Sequence, residues 1–509
     1  MRHAIFLADA IEALLRAPED VLHSLTGAGD NDWEFWIPVP DRLRCPGLGA
    51  LANTFRPLTI PGAAVSEFNE TTSYLDIVRR AARTLPSGAI VIVTAQFSNE
   101  GTTDAGEQVL PLEEWLTLYA QDRSAGYPGP SHDPFIDLAR QQLRIRHRLE
   151  ERMLQVLGHG RYIMGKEIEE LEEHLAGFIG VKHAIACGSG TDALLMGLLA
   201  LEAGPGDAVF TTPFTFFATV ETIALLGATP VMVDIDPLTL NIDPEKLEHA
   251  VADVMKRGEL KPRGIVPVDL FGLPADYDAI RSIATRYDLW IIEDAAQAFG
   301  ASYKGKRCPS FGTIGATSFF PAKPLGAYGD AGAVFTDDDE LAEILRSIRI
   351  HGQGVDRYNN IRIGLNARMD TLQAAILLEK LHIYPEEIEL RQAVAQTYLD
   401  YLRPLAERTG ELQLPFIPEE YHSVWAQFSI RTPHFAAIQT ALSKHGIPTA
   451  RYYPVPMHLL DAMAYLGYHR GDLPQAEQAA ADIISLPFHP YLTKERIARY
   501  CEIIASVFP

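Results

Sequence analysis

The sequence predicts an α/β protein: a mostly parallel sheet with helices on both faces, then a smaller C-terminal α+β domain, with an extra small α/β unit ahead of both. Three observations lead there. After residue 134, apolar β-branched runs alternate with helical stretches, the pattern of a sheet whose crossovers are helices. Lysine usage changes along the chain: the first lysine is Lys166, and Trp33, Trp36 and Trp115 all precede residue 130. Between these compositions lies "SAGYPGPSHDP" (124–134), dense in Gly, Pro and Ser, which reads as a linker or long turn. The expected units are 1–130, an extension; 131–375, a large domain; and 376–509, a small domain.

In the extension, residues 4–16 read as a short amphipathic helix and "SYLDIVRRAARTL" as a second. "AIVIVTAQF" (89–97) is a buried-strand pattern followed by polar turn residues. "PLEEWLTLYAQ" reads as a further helix. No motif in this unit ties it to chemistry, and both a partial nucleotide-binding fold and a structural appendage fit it. Beyond the linker the strand candidates are "HAIAC", "AVFTT", "PVMVDID", "GIVPVDLF", "LWIIEDA", "ATSFF" and "GAVFT". "DALLMGLLALEA" and "EKLEHAVADVMKRG" are helices between them. Ligands of such sheets sit beyond the carboxyl ends of the strands. From about Met369 the chain turns helical, and Pro385 is expected to break that stretch. No repeat or low-complexity tract occurs.

A chain of 509 residues suggests about three domains at roughly 100–200 residues each. Apolar residues at 47% and charged residues at 22% are globular values. Acidic residues outnumber basic ones, 66 to 44, for a formal charge of -22. Such a chain repels nucleic acid and anionic membrane, and no local basic patch offsets this. Cys45, Cys187, Cys308 and Cys501 are far apart, so neither a disulfide framework nor a metal ribbon is expected. Asp9 and Glu12 interrupt the N-terminal apolar patch, so it does not read as a signal peptide. The expectation is a cytoplasmic protein with no metal, no nucleic acid and no membrane partner.

Four motifs could carry chemistry. "GRYIMGKE" (160–167) has P-loop spacing, but Glu167 replaces the Ser/Thr that would hold magnesium and no strand leads in. A turn before a helix fits it better. In "CGSGTDALLMGLLALEA", Gly188 and Gly190 permit a tight turn and Thr191 opens an apolar helix. Such a helix start binds anions, although an ordinary strand-to-helix turn reads the same way. "LWIIEDAAQAFGA" puts Asp294 just past a buried strand, where its carboxylate needs a cationic ring nitrogen or an arginine. Gln297 follows three residues on. "GATSFFPAKPLGAYGDAGAV" (315–334) sets Lys323 in a Pro/Gly-bounded loop after a strand, with Ser318 five residues upstream. A lysine that forms a Schiff base must be partly desolvated so that neutral amine is available.

From about Phe135 to the C-terminus the chain resembles the DegT/DnrJ-type sugar aminotransferases, which use pyridoxal phosphate (PLP) on the fold type I scaffold. "PFIDLARQQ", "SGTDAL", "EDAAQAFGA", "SFFPAKPLGAYGDAGA" and "SLPFHP" occur in the family's order and spacing. The resemblance implies the following roles. Lys323 would form the Schiff base with the cofactor and be the catalytic residue. Asp294 would keep the pyridine nitrogen protonated, and Gln297 would bond the ring hydroxyl. Phe216 would stack on the ring, where relatives often carry another aromatic residue. Gly190, Thr191 and Ser318 would bind the phosphate. Asn366, in "GLNARMD", would reach the phosphate of a neighbouring subunit, so a homodimer with shared active sites is implied. Family dehydratases carry His at the lysine position, so Lys323 implies transamination.

"GHGRYIMGKEIEELE", "HGQ" (351–353) and "SLPFHPYL" are most similar to the branch that aminates a 3-oxo UDP-N-acetylglucosaminuronic acid for bacterial surface polysaccharide synthesis. Glutamate is the donor the resemblance implies. Arg368 would hold the sugar carboxylate or form a structural salt bridge. "ARYYPVPMH" (450–458), with Tyr452 and Tyr453, would line the sugar pocket. Tyr452 stands where some relatives have His. A 4-oxo deoxysugar substrate, a non-catalytic PLP-binding protein with an interaction module, and a bifunctional enzyme are the competing readings.

Overall fold

The computed structural model describes residues 133–356 and 358–509 and, ahead of them, the backbone of five short strands. The chain divides into two compact units, 1–129 and 130–509. In the first, His3–Ala4 pairs in parallel with Ile90–Val93, which pairs antiparallel with Gln108–Pro111. Asp32–Phe35 and Leu58–Pro61 form a separate antiparallel pair. Ile90–Val93 lies within the strand expected at 89–97. The helices expected in this unit, and the side chains of Trp33, Trp36 and Trp115, lie outside the described residues.

The second unit opens with two helices, α1 (Leu138–His159) and α2 (Lys166–Ile179). The P-loop-like segment is the turn between them, ending where Gly165 caps α2. The alternation then builds β1 (His183–Cys187), α3 (Gly190–Ala200), β2 (Asp207–Thr211), α4 (Ala218–Leu225), β3 (Thr229–Met232), α5 (Pro244–Arg257), β4 (Lys261–Val266), α6 (Tyr277–Tyr287), β5 (Trp290–Asp294), β6 (Ile314–Ser318), β7 (Gly332–Thr336) and α7 (Asp339–Arg349). These strands form one sheet in the order β1-β7-β6-β5-β4-β2-β3. β7 runs antiparallel to both neighbours; the other pairings are parallel.

Side chains alternate between the two faces with period two. Ile185, Ile292, Ile314 and Val334 meet α3 and α7 in one apolar core. On the opposite face, Phe210, Ile265 and Ile291 pack on α5 and α6. Ala184, Ala186 and Phe335 pack there on α2 and on the long helix α8 (Thr371–Thr409). The same alternation sends consecutive residues Glu293 and Asp294 to opposite faces.

Pro385 does not break the helical stretch: α8 runs through both Pro385 and Pro404. Proline removes one hydrogen bond and crowds the preceding turn, typically at about 3 kcal/mol. Burial offsets that here. Leu381, Ile383 and Tyr384 are buried, and the Tyr384 hydroxyl donates to the Phe299 carbonyl at 2.5 Å. The position 375/376, expected to separate the two domains, falls within α8. Its second half, through Val394, Tyr398 and Leu402, belongs to the C-terminal core. That core holds the antiparallel pair β8 (Phe428–Arg431) and β9 (Ile483–Leu486) with α9 (Phe435–Lys444) and α11 (Lys494–Ala505). α10 (Pro474–Asp482) leads into β9.

Candidate active site

Most of the predicted site residues collect at the carboxyl edge of the parallel strands. β1 ends at Cys187, and the chain turns through Gly188 and Ser189 into α3. The helix starts at Gly190, one residue before the expected Thr191, because Ser189 caps it by accepting the Asp192 N–H at 3.0 Å. The Ala193 N–H bonds the Ser189 carbonyl. The N–H groups of Gly190 and Thr191 are those with no acceptor inside the helix. The turn packs against the start of β7 and the end of β6. A Cβ on Gly332 would lie 2.4 Å from the Ser189 carbonyl carbon, and one on Gly190 would lie 2.6 Å from Ser318 Cβ. Glycine at both positions is what lets Ser318 approach the helix start.

Lys323 follows from β6. The Ser318 hydroxyl accepts the Phe320 N–H at 3.2 Å, and Lys323 N–H bonds the Phe320 carbonyl at 2.8 Å. Phe319, Leu325 and Ala327 are buried and hold this loop to the body. Burial pushes the Lys323 amine down to about 8, and the nearby Asp294 charge opposes that shift. Asp294 ends β5 on the α3 face. Burial raises its pKa, against the Thr219 hydroxyl, the Ala296 N–H and the Lys323 charge. Thr219 donates to Asp294 Oδ2 at 2.7 Å and pairs with Thr215 at 2.9 Å. Sequence reasoning missed Thr219. Its signal was the i, i+4 pair Thr215/Thr219 at the start of α4.

Gln297 is oriented from both ends of its amide. Oε1 accepts the Phe271 N–H at 2.8 Å and Nε2 donates to the Tyr453 hydroxyl at 3.0 Å. Tyr453 also packs by Phe216, with ring centroids 6.4 Å apart, and Tyr452 packs edge-on to Phe135 at 6.4 Å. Phe216 is 57% exposed, so a face of its ring is available to a ligand. Asn366 and Arg368 flank the helix start, because the Gly188 N–H bonds the Ala367 carbonyl at 3.0 Å. Arg368 Nε donates to Asn366 Oδ1 at 2.8 Å. Asn366 itself is exposed.

These groups suit a phosphorylated aromatic cation. The open end of α3 presents N–H donors to a phosphate. The buried Asp294 carboxylate lacks a guanidinium partner among the described residues, and a protonated ring nitrogen would supply the missing charge. Lys323 offers an amine that is neutral in part near neutral pH.

Comparison with known proteins agrees with this chemistry. Residues 144–505 match the family model of the DegT/DnrJ/EryC1/StrS aminotransferases. The chain is 49% identical over 372 residues to the UDP-2-acetamido-2-deoxy-3-oxo-D-glucuronate aminotransferase of Pseudomonas aeruginosa, covering 73% of this chain and 99% of that one. Its fold is similar to the crystal structure of a DegT/DnrJ/EryC1/StrS aminotransferase from Brucella abortus, with a TM-score of 0.71 and 46% identity over 74% of this chain and 99% of the other. It is also similar to NtdA of Bacillus subtilis with bound cofactor PMP, with a TM-score of 0.66 and 31% identity over 74% and 86% of the two chains.

Proposed function

The chain belongs to the DegT/DnrJ/EryC1/StrS aminotransferase family, and on that premise we propose that it uses PLP to move an amino group from glutamate to a 3-oxo UDP-N-acetylglucosaminuronic acid. The observation that carries the chemistry is the meeting of Lys323 and Asp294 beside the α3 start. The sugar rests on the 49% identical relative named for a 3-oxo glucuronate. Surface polysaccharide synthesis is the role such a product would serve.

Gly190, Thr191 and Ser318 hold the phosphate, Asp294 the ring nitrogen, Gln297 the ring hydroxyl and Phe216 the ring face. When bound, PLP supplies an electron sink that lets a C–H bond beside nitrogen be broken. Asp294, ionised and partnered by Thr219, maintains the positive charge on the ring nitrogen. Lys323 Nζ would hold the cofactor, and as a free amine it would take the proton from the donor carbon and return it to the acceptor. An amine at about 8 suits it to both acid and base roles. Tyr452 and Tyr453 line the sugar pocket, and Arg368 binds the sugar carboxylate.

Asn366 acts across a dimer interface. Its oxygen is engaged by Arg368, which leaves its amide N–H groups to donate to the partner's phosphate. Nearby, Val355, Ile361 and Ile363 are exposed, apolar surface of the kind that marks an interaction site. The 1–130 extension takes no part in this chemistry.

The aminated form of the purified enzyme should be offered 3-oxo and 4-oxo UDP- and dTDP-sugars, following the loss of its cofactor absorbance. The 3-oxo UDP-uronic acid should react fastest. A faster reaction with a 4-oxo deoxysugar would replace the substrate assignment.

A further inference from the structure

Beneath the site, on the sheet face opposite Asp294, two carboxyl groups are buried together. Asp269 and Glu293 are both fully buried. Asp269 Oδ1 accepts the Ala275 N–H at 2.8 Å and the Tyr277 hydroxyl at 2.9 Å. Glu293 Oε2 accepts the Phe311 N–H at 2.6 Å and the Gly312 N–H at 3.3 Å. The remaining oxygens, Asp269 Oδ2 and Glu293 Oε1, have no other donor. The two carboxyl groups and Cys308 Sγ approach within 4.8 Å of one another. The groups facing them are Tyr277 from α6 and Cys308 from the turn before β6. The Arg281 guanidinium nearby is spent on the Phe311 carbonyl, at 3.0 and 2.8 Å. Two carboxylates this close and this dry cannot both be ionised.

We propose that Glu293 carries a single shared proton and donates it to Asp269, and that the pair is a positioning device for the cofactor site. Two donors serve the other oxygen of each carboxyl, but both of those on Asp269 are close, at 2.8 and 2.9 Å, whereas Gly312 N–H lies 3.3 Å from Glu293, so Asp269 is the better anion. Burial raises both carboxyls; the Asp269 charge pushes Glu293 up further, whereas the Ala275 and Tyr277 donors work against the rise at Asp269. The lock reaches the site by two routes. The Asp269 N–H bonds the Asp294 carbonyl at 3.0 Å, and Glu293 directly precedes Asp294 in β5. The turn Leu270–Gly272 starts from Asp269, and its Phe271, at φ 57°, presents the N–H that orients Gln297. A non-glycine residue at that φ needs its surroundings to hold it.

The inference rests on the proposed roles of Asp294 and Gln297, and the test separates the two. Infrared spectra of the full-length protein near neutral pH should show a protonated carboxyl band that is lost in Glu293→Gln and shifted in Asp269→Asn, where the acceptor of its hydrogen bond has changed. That readout needs neither cofactor nor substrate. In the PLP-loaded enzyme, Glu293→Ala should lower kcat by about tenfold to a hundredfold. It should change KM for the sugar less, and shift the pH at which the bound-cofactor absorbance changes. Glu293→Gln, which donates the same hydrogen bond, should restore kcat to within about threefold. The proposal fails if the band persists in Glu293→Gln or is unmoved in Asp269→Asn, if Glu293→Gln is as impaired as Glu293→Ala, or if Glu293→Ala keeps the wild-type spectrum and kcat. Stoichiometric divalent metal in the purified protein, removed by chelator with loss of the absorbance, would make the cluster a metal site and overturn it. Should Glu293→Ala not fold, the infrared comparison still decides. Failure of the wild-type enzyme to bind PLP would count against the functional reading and leave the proton-sharing result standing.

Discussion

Gln297 donates through Nε2 to the Tyr453 hydroxyl at 3.0 Å, joining residues 156 positions apart. The bond ties the residue proposed for the ring hydroxyl to the segment proposed for the sugar. Tyr453→Phe removes the acceptor and leaves a buried amide donor unmade, a loss of about 1–3 kcal/mol. The expected result is a fall of about tenfold in kcat/KM for the keto sugar. Burial raises the Tyr453 pKa, so the hydroxyl stays protonated and should add no inflection to the neutral pH profile. Wild-type kcat/KM in steady-state assays of the variant would contradict the link.

Lys323 should be the lysine that holds PLP. Borohydride reduction and peptide mapping should find the cofactor there, and Lys323→Ala should abolish turnover. Lys304 and Lys306 are the nearby alternatives. Lys304 is occupied by Asp278 at 2.5 Å, and Lys306 is exposed. The neutral amine is the nucleophile, and burial lowers the Lys323 pKa to about 8. The rate at which PLP recombines with the stripped protein should therefore rise with pH and level off above about 8. A rate that still climbs toward the usual lysine range would show an ordinary, solvated amine.

Asn366 should act across the dimer. Lys323→Ala and Asn366→Ala chains, each inactive alone, should regain part of the activity when mixed under conditions of subunit exchange. Sedimentation should show the wild-type protein as a dimer. No recovery with exchange demonstrated, or an active monomer, would place Asn366 outside the neighbouring site.

A chain beginning at Ser131 should fold, bind PLP and aminate the same sugar. The contacts that anchor the start of the second unit lie after the cut. Asp133 meets Arg496 at 3.3 Å, and the Phe488 N–H bonds the Phe135 carbonyl at 3.0 Å. Its solubility, PLP absorbance and turnover should be compared with those of the full chain. Aggregation, or a soluble protein that cannot retain PLP, would show that residues 1–130 complete the catalytic body.

Much of the sheet was legible because local pattern carries it. Each strand run expected after residue 134 contributes residues to a strand of the sheet, since a buried strand needs only a short apolar β-branched segment between turn residues. Gly188 and Gly190 likewise marked the α3 start to within one residue; the Ser189 cap emerged only from the structure. Pro385 misled for the opposite reason. Its local penalty is real, but Leu381, Ile383 and Tyr384 bury against distant segments, and that energy is invisible in the proline's neighbours.

Motif order and spacing, through the resemblance to the family, tied a lysine loop, an acidic strand end and a glycine-opened helix to one kind of chemistry. Tertiary structure decided how they meet. The antiparallel placement of β7 between β1 and β6 brings Gly332 against Ser189 and Gly190 against Ser318. No local rule states that order, because strand pairing is set by contacts between segments far apart in the chain. The same holds for Thr219 on Asp294, for Tyr453 on Gln297, and for the buried pair Asp269 and Glu293. Each side chain is ordinary in its own stretch of sequence. Each acquires its protonation state and its partner only when folding removes water and brings the other residue to it.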